Sequence, residues 1–595
     1  MKPFFAAVPV FALALCYRAP GSNVPAPDVD RSPTDLAVAA NGKWAITANN
    51  GASTASLINL ETGAVVMEVP VGQKPFALAL TPDNKRVVVS NSWGNSVSLL
   101  DVGASTLTPV HTFSVGEEPR GVAVTRDGTR AFVALAGEGA VAVVDVAAGK
   151  VVAKWSVGQE PWHLTLNADG TRLAVGNSRE RTVTVLDTQT GKPAHTVRTL
   201  GRNLRHMAVS PDGKWAYVPA IAERGMGVTK SNIDRGWIVG NRLVRIPLTQ
   251  AGLREAITLD ISGKAVGDVD GVSFSPDGKT LALTAGGTHE LLLFRLDGLP
   301  FASYGGPSDH MDFALQNDAA RFRRVPLGGR PLGAQFSPDG KQILVANYLT
   351  NSVQSVDATT GQITRTIALG GPTMPSLARR GEAIFYDANR SFGSWYSCGT
   401  CHTEGHTNGG MFDTLNDGGI GKPKKTLSLR GVAQTAPYTW HGWQTSLAGG
   451  IRESMVKSMQ GPEPTDEDVK AVQAFLQTLG FRPSPYRLAG GGLTEAAKRG
   501  RVVFGAKNCV SCHNGPDFAG TSVVLAGLEA PDDVYKGFNP PPLRGVYNRA
   551  PFLHDGRADT LEEVLTEYHR PSQLTGKPDC TPTELADLVA YLKSL

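Results

Sequence analysis

The sequence predicts a multidomain β + α chain: a seven-bladed β-propeller followed by two tandem all-α domains. Three observations carry this reading. An Asp-Gly or Asn-Gly type of turn recurs seven times in the first 340 residues. A Cys-x-x-Cys-His unit then occurs twice, and the segments around the two units are themselves duplicated. At 595 residues the chain is too long for one ordinary core. Charged residues are 19% with a formal net charge of +4, so no nucleic-acid partner is marked. The 67 Gly and 39 Pro favour short strands joined by turns over long helices.

The chain opens on "MKPFFAAVPVFALAL", one Lys followed by a short apolar run. Residues 1–16 read as a secretory signal, because the run is too short to span a bilayer. Cys16 after "LAL" loosely resembles a lipoprotein cleavage box, although Leu15 is larger than the small residue usual there. An exported, periplasmic chain is expected, with membrane contact only through such a lipid anchor.

Residues 30–371 hold the repeat. The turns are "AANGK" at Gly42, "TPDNK" at Asn84, "TRDGT" at Gly128, "NADGT" at Gly170, and "SPDGK" at Gly213, Gly278 and Gly340. Alternating stretches such as "FALAL" precede the turns and predict half-buried strands, and the turn residues supply the positive φ that tight hairpins need. A period of about 40–45 residues matches one four-stranded propeller blade. Runs such as "VVVSNSWGNSVSLLDV" and "ILVANYLTNSVQSVD" resemble the YVTN type of surface-layer repeat. That resemblance is specific for fold and weak for function. Two intervals are longer than the rest, through insertions at 223–242 and 298–322, which are expected to serve as docking loops or as surface decoration. His163 and His206 hold the same slot in adjacent blades, at the start of the innermost strand. Both are expected near the channel mouth, as packed residues or as a paired ligand site.

Cys398-Gly-Thr-Cys401-His402 and Cys509-Val-Ser-Cys512-His513 are c-type haem attachment motifs. Two thiols three positions apart add across the two vinyl groups of one porphyrin, and the adjoining imidazole sits beneath the iron. Two covalently bound haem c groups are therefore expected. A zinc site would need two more ligands at short range, which His406 only partly supplies, and a redox pair would not need the trailing His. Cys580 reads as a structural thiol.

Further matches follow the two motifs. "RGEAIF" (380–385) answers "RGRVVF" (499–504), "LRGVAQTAPYTWHG" (429–442) answers "LRGVYNRAPFLHDG" (543–556), and "VQAFLQTL" (472–479) answers "LVAYLKSL" (588–595). Two cytochrome c domains result, at 376–480 and 494–595, joined by the Pro/Gly-rich linker 481–493.

On these residues, and on "PPLRGVYNRAPFLHDGRADTLEEVLTEYH" (541–569), the region from about 376 to 595 resembles the bacterial di-haem cytochrome c peroxidase superfamily, which includes MauG. The resemblance implies that one haem meets hydrogen peroxide while the other relays electrons from a small cytochrome c or cupredoxin. It places Trp440, in "YTWHGW", as the inter-haem relay. It sets Tyr568 as sixth ligand of the second iron, with adjacent His569 as the alternative. The corresponding register in the first half falls near Met455, with Met411 and His406 as competitors. Glu453 is the acid/base candidate, with Gln460 behind it. His441 and His554 read as a matched pair, the former standing where the family has Asp. Family members often carry calcium between the haem domains, but no acidic loop here identifies one. Besides a peroxidase-like enzyme, two readings stay open: an electron carrier with both irons capped, and a dehydrogenase whose propeller holds an organic substrate near His163 and His206.

Overall fold

The structure is a computed structural model, and it describes residues 28–303, 310–415, 419–488, 490–529 and 534–595. The leader and Cys16 lie outside the described residues. Seven antiparallel sheets follow one another at 33–70, 75–114, 119–156, 161–198, 201–258, 269–326 and 331–368. Their first strands contact one another in a closed ring, the first strand of the seventh sheet meeting that of the first, which makes a seven-bladed propeller. Each blade is closed from its own stretch of chain. The seam between last and first blades is held by side chains instead. Asn351 accepts from Ser32 N at 2.9 Å, and Arg365 donates to Leu60 O at 2.7 Å.

All seven turn residues named above have φ between 57° and 75°, the left-handed region that Gly and Asn reach cheaply. The Ser and Asp of "SPDGK" fix the turn locally. Ser210 Oγ donates to Asp212 Oδ1 at 2.5 Å while that carboxylate accepts from Lys214 N at 3.1 Å. The asparagine that ends the second strand of a blade also has a fixed task. Asn91 and Asn177 each donate to two hydroxyls on the third strand, including Ser98 at 3.0 Å and Thr184 at 2.9 Å. This accounts for the recurring Asn followed by Ser or Thr.

The strands are not half-buried, as alternation suggests. Trp44–Asn49 is buried along its whole length, whereas Lys150–Ser156 alternates between exposed and half-buried. Neighbouring blades cover both faces of the inner strands, and only the outermost strand meets water. In the fifth blade the innermost position is split into Gly201–Arg202 and Ala208–Val209, both pairing with Trp215–Ala222. His206 lies in the gap.

The helical region repeats one motif twice. Helix Leu377–Phe385 packs on Asp466–Gln477, and Glu495–Ala506 packs on Pro582–Ser594. Each begins with a Ser or Thr cap; Thr465 and Thr581 form full capping boxes with Asp468 and Glu584. The glycine of each "RG" pair sits where the helices cross. A Cβ at Gly381 would lie 1.9 Å from Ala471 O, and one at Gly500 would lie 1.8 Å from Asp587 O.

The insertion at 223–242 is a docking element. Val228 N donates to Asp413 O at 2.9 Å, and Val228, Ile233, Ile238 and Val239 share one apolar cluster with Phe385, Met455 and Phe475 of the first helical domain. Of 298–322, residues 304–309 lie outside the described residues; Met311 and Leu315 pack into the propeller core. A second joint is ionic. Arg120 of the third blade pairs with Glu118 and with Glu404, and Arg482 of the linker pairs with Glu118. Burial opposes charge on Glu118, but Arg482 and Arg120 outweigh it and hold the carboxyl down at about 2.

Two outcomes follow. Gly381→Ala or Gly500→Ala should lower unfolding stability by about 1–3 kcal/mol in thermal or denaturant melts, because a backbone carbonyl cannot move aside. The folded pKa of Glu118 lies below its ordinary 4.5, so the latch stabilises above that pH and is lost as pH falls toward about 2. Melting temperature should therefore fall between pH 5 and pH 2 more steeply in the wild type than in Glu118→Gln.

Candidate functional site

Both attachment motifs sit at a short helical turn that ends in a histidine whose orientation is fixed by backbone. His402 Nδ1 lies 2.9 Å from Leu427 O, and His513 Nδ1 lies 2.8 Å from Phe518 O. Donation from Nδ1 leaves Nε2 as the free electron pair of a neutral ring. Burial lowers the pKa of both rings, His402 to about 4, which keeps them neutral and ready to ligate. The thiols are held protonated by burial, Cys398 pushed up to about 12 and Cys509 to about 11. Among the described residues no three His, Cys, Asp or Glu side chains cluster as a metal-ion site.

A cavity of about 340 Å³ opens beside the first motif. Cys398, Cys401 and His402 line it together with apolar Phe385, Ile451, Met455, Met459 and Leu476. Its walls also carry Lys422, Lys424 and Lys425. Lys425 is the informative one. Its ammonium lies buried near Arg179, Arg202 and Arg549, with no carboxylate in ion-pair range among the described residues. Burial first, then these three guanidiniums, drives its pKa far down. An apolar slot with two thiols and an imidazole at one end, edged by lysines, fits a porphyrin with its two carboxylates.

The structure separates the sequence's candidates. Met455 lines this cavity and is 3% exposed. So does Met459, which sequence reasoning missed, with its sulfur 3.5 Å from Cys398 Sγ. Met411 is not in the lining; its sulfur approaches Gly556 of the second half. His406 has both nitrogens engaged, Nδ1 with Ser428 Oγ at 2.8 Å and Nε2 with Asn548 O at 3.2 Å, so it ties the halves together. Glu453 is in the lining, 2.6 Å from Lys457 Nζ on its own helix, while Gln460 turns to Lys457 O.

At the second motif the ring of His569 faces that of His513, with centroids 6.5 Å apart. A metal held at about 2 Å by each of two imidazoles would space the ring centres by about 6 Å. Tyr568 instead lies under the guanidinium of Arg557, at 5.7 Å, only partly buried. A shared turn explains the difference. Each half carries a wide helical turn, Ser454–Ser458 and Val564–Tyr568, and the residue that closes it donates five residues back: Met459 to Ser454 O, His569 to Val564 O. Met459 and His569 are thus equivalent. Aligning "SMVKSMQG" with "VLTEYHRP" by this turn, four residues off the register of the preceding loop, was the signal available.

The pairing of His441 with His554 is corrected. Cis peptides precede Pro437 and Pro551, left-handed residues stand at Thr439 and Leu553, and bridges join Tyr438 to Gln444 and Phe552 to Ala558. Trp440 is therefore the counterpart of His554, and His441 that of Asp555. These two counterparts meet where the halves join. The Trp440 indole lies edge-on to His554 at 6.3 Å, its Nε1 donates to Lys425 O at 2.7 Å, and its carbonyl accepts from Asn539 N at 2.7 Å. Phe538 extends the row, 4.5 Å from His554 and 4.7 Å from His441. His163 and His206 meet at the channel mouth with centroids 4.6 Å apart, His206 Nδ1 being 2.7 Å from Asp270 Oδ1.

The cytochrome c family pattern matches residues 497–595. Hydrazine synthase subunit gamma of Kuenenia stuttgartiensis is 29% identical over 281 residues, 38% of this chain and 79% of that protein. The methylamine utilization protein MauG of Methylorubrum extorquens is 27% identical over 279 residues, with the same two shares, 38% and 79%. Cytochrome c551 peroxidase of Nitrosomonas europaea is 26% identical over 331 residues, 46% of this chain and 91% of its own. A chain in the solved structure of Kuenenia stuttgartiensis hydrazine synthase superposes with a TM-score of 0.51 at 25% identity, covering 58% of this chain and all of that one. The relatives are oxidoreductases of the di-haem peroxidase type, and covalently bound haem c follows from the family pattern.

The doubly engaged His406 gives a direct expectation. His406→Ala should cost about 1–3 kcal/mol of unfolding stability through its two orphaned partners, with an unchanged haem spectrum. A shifted visible band would assign it to iron.

Proposed function

We propose that this chain is an exported di-haem c-type oxidoreductase in which the first haem domain reacts with hydrogen peroxide and the second relays electrons. The observation that carries this is the asymmetry of the halves. The first motif opens on a cavity of about 340 Å³ lined by Glu453 and Met459, whereas at the second the ring of His569 lies 6.5 Å from that of His513. In this reading Cys398, Cys401, Cys509 and Cys512 attach two haems, and His402 and His513 are the proximal ligands. Bound haem supplies an iron that exchanges electrons and, at a displaceable position, takes peroxide.

The chain's own residues set the difference between the two sites. His569, whose ring lies 6.5 Å from that of His513, would offer a strong nitrogen donor to a haem held at the second site, which suits electron transfer. Met459 occupies the equivalent place in the first, where its thioether would be the weaker donor to a bound iron. Glu453, paired with Lys457 at the cavity wall, holds a proton acceptor where peroxide would enter. Trp440 and His554 bridge the domains by ring contact, the short path along which an electron passes between them. The electron donor is a small cytochrome c or cupredoxin.

A second reading is favoured by the same methionines: with Met459 firmly bound, both irons are capped and the protein is an electron carrier. Stopped-flow spectra with peroxide separate the two. The enzyme reading expects the first haem to respond in the wild type, Met459→Ala to react at least ten-fold faster and show a high-spin band, and Met455→Ala to stay low-spin. Trp440→Phe should slow the second haem's response at least ten-fold while leaving the first unchanged. An inert wild type together with an inert Met459→Ala would establish the carrier instead.

A further inference from the structure

A second cavity, of about 490 Å³, lies where the mouth of the propeller channel meets the first haem domain. It shares no lining residue with the haem cavity: it touches Gly399, Thr403 and Glu404 on the other side of the attachment turn. It reaches solvent beside Asp28, Ser376 and Thr478. Its walls are aromatic, with Trp93, Trp162, Tyr348 and Tyr386 among them.

The walls carry six carboxylates, Asp28, Asp30, Asp268, Asp270, Glu382 and Glu404, against five Lys and Arg, but the two signs are unevenly paired. Most of the inner carboxylates already have partners. Glu382 pairs with Arg379 and accepts from Tyr348 Oη at 3.0 Å, and Glu404 pairs with Arg120. Asp270 pairs with His206, and Asp268 accepts from the hydroxyls of Ser397 and Thr400. The cations are treated differently. Lys74, Arg330 and Arg430 line the same space, and none has an ion pair or side-chain hydrogen bond among the described residues. Arg330 is stacked at 3.4 Å on the ring of Tyr386, which orients its plane and leaves its N–H edge free. Nη1 of Arg205 is likewise buried without a partner. Burial lowers the pKa of Lys74 although Glu382 and Glu404 pull it up, whereas at Arg330 the neighbouring Tyr386, Tyr348, Glu382 and Asp270 outweigh burial and raise it.

A cationic ligand would find these carboxylates taken, and a neutral one would leave the cations bare. We propose that this cavity is a binding site for a small organic carboxylate, its charge met by Lys74, Arg330 and Arg430 and its apolar body by the aromatic walls. This goes beyond the peroxide reading and does not depend on it: the site stands on the propeller side of the first attachment turn, whichever reaction the haems perform.

Calorimetric titration of the purified holoprotein tests it, with acetate, butyrate and benzoate as probes and benzyl alcohol and benzylammonium as controls. Benzoate should bind once per chain, saturably and at least ten-fold more tightly than either control. Lys74→Gln and Arg330→Gln should each weaken it at least ten-fold at unchanged haem content. Crystals soaked in 4-bromobenzoate give a readout independent of how the variants fold, with an anomalous peak expected between Lys74 and Arg330. The proposal is overturned if none of the three carboxylates binds, if both variants bind benzoate as the wild type does, or if the bromine lies elsewhere.

Discussion

The first attachment turn is bolted to the propeller, and the placement of the rest follows from that. Asp268, at the entry to the sixth blade, accepts from the hydroxyls of both Ser397 and Thr400, the residues flanking Cys398-Gly399. Asn203 donates to Thr400 O at 2.7 Å from the fifth blade. A hydrogen bond to a charged group contributes about 1.5–3 kcal/mol, and here two of them act on four residues of chain. The propeller is thereby the wall against which the first attachment turn is set. The turn's outer side faces the channel mouth, and its inner side, with both thiols, faces the haem cavity.

Among the described residues the second attachment turn has no such anchor on the propeller, and the contrast suits a division of labour. The second half holds to the first through Trp440, Asn539 and His406, and to the propeller through Arg179, which donates to Ala550 O. One ancestral unit, with its helix crossing at a glycine and its loop fixed by a cis-proline turn, has been used twice on different supports. What changed between copies are the side chains at equivalent places: Trp440 against His554, His441 against Asp555, Met459 against His569. Each change alters a side-chain contact while the backbone stays.

Sequence legibility followed the range of the forces involved. The seven turns depend on φ angles and on hydrogen bonds spanning five residues, so Gly213 or Asn84 announces itself. The attachment motifs are likewise local, since spacing alone sets the thiols and the imidazole. The distal side is not local. Tyr568 looked right by counting from the "TLEEV" segment, but a wide helical turn adds one residue to the ring and brings His569 round to His513. Met459 was passed over for the same reason. The cavity at the channel mouth was legible only as two histidines in one slot. Lys74, Arg330 and Arg430 come from the second blade, the seventh blade and the helical region, and only the folded chain brings them to one space.

The claim on which the functional reading rests is that both duplicated motifs carry thioether-bound porphyrin. Intact-mass analysis of the protein, purified from a host with a working cytochrome c maturation system and extracted with acidified organic solvent, measures this directly. The expected mass is that of the mature chain plus two haem groups, neither removed by the extraction. A colourless protein, or a mass showing one group or none, would contradict it.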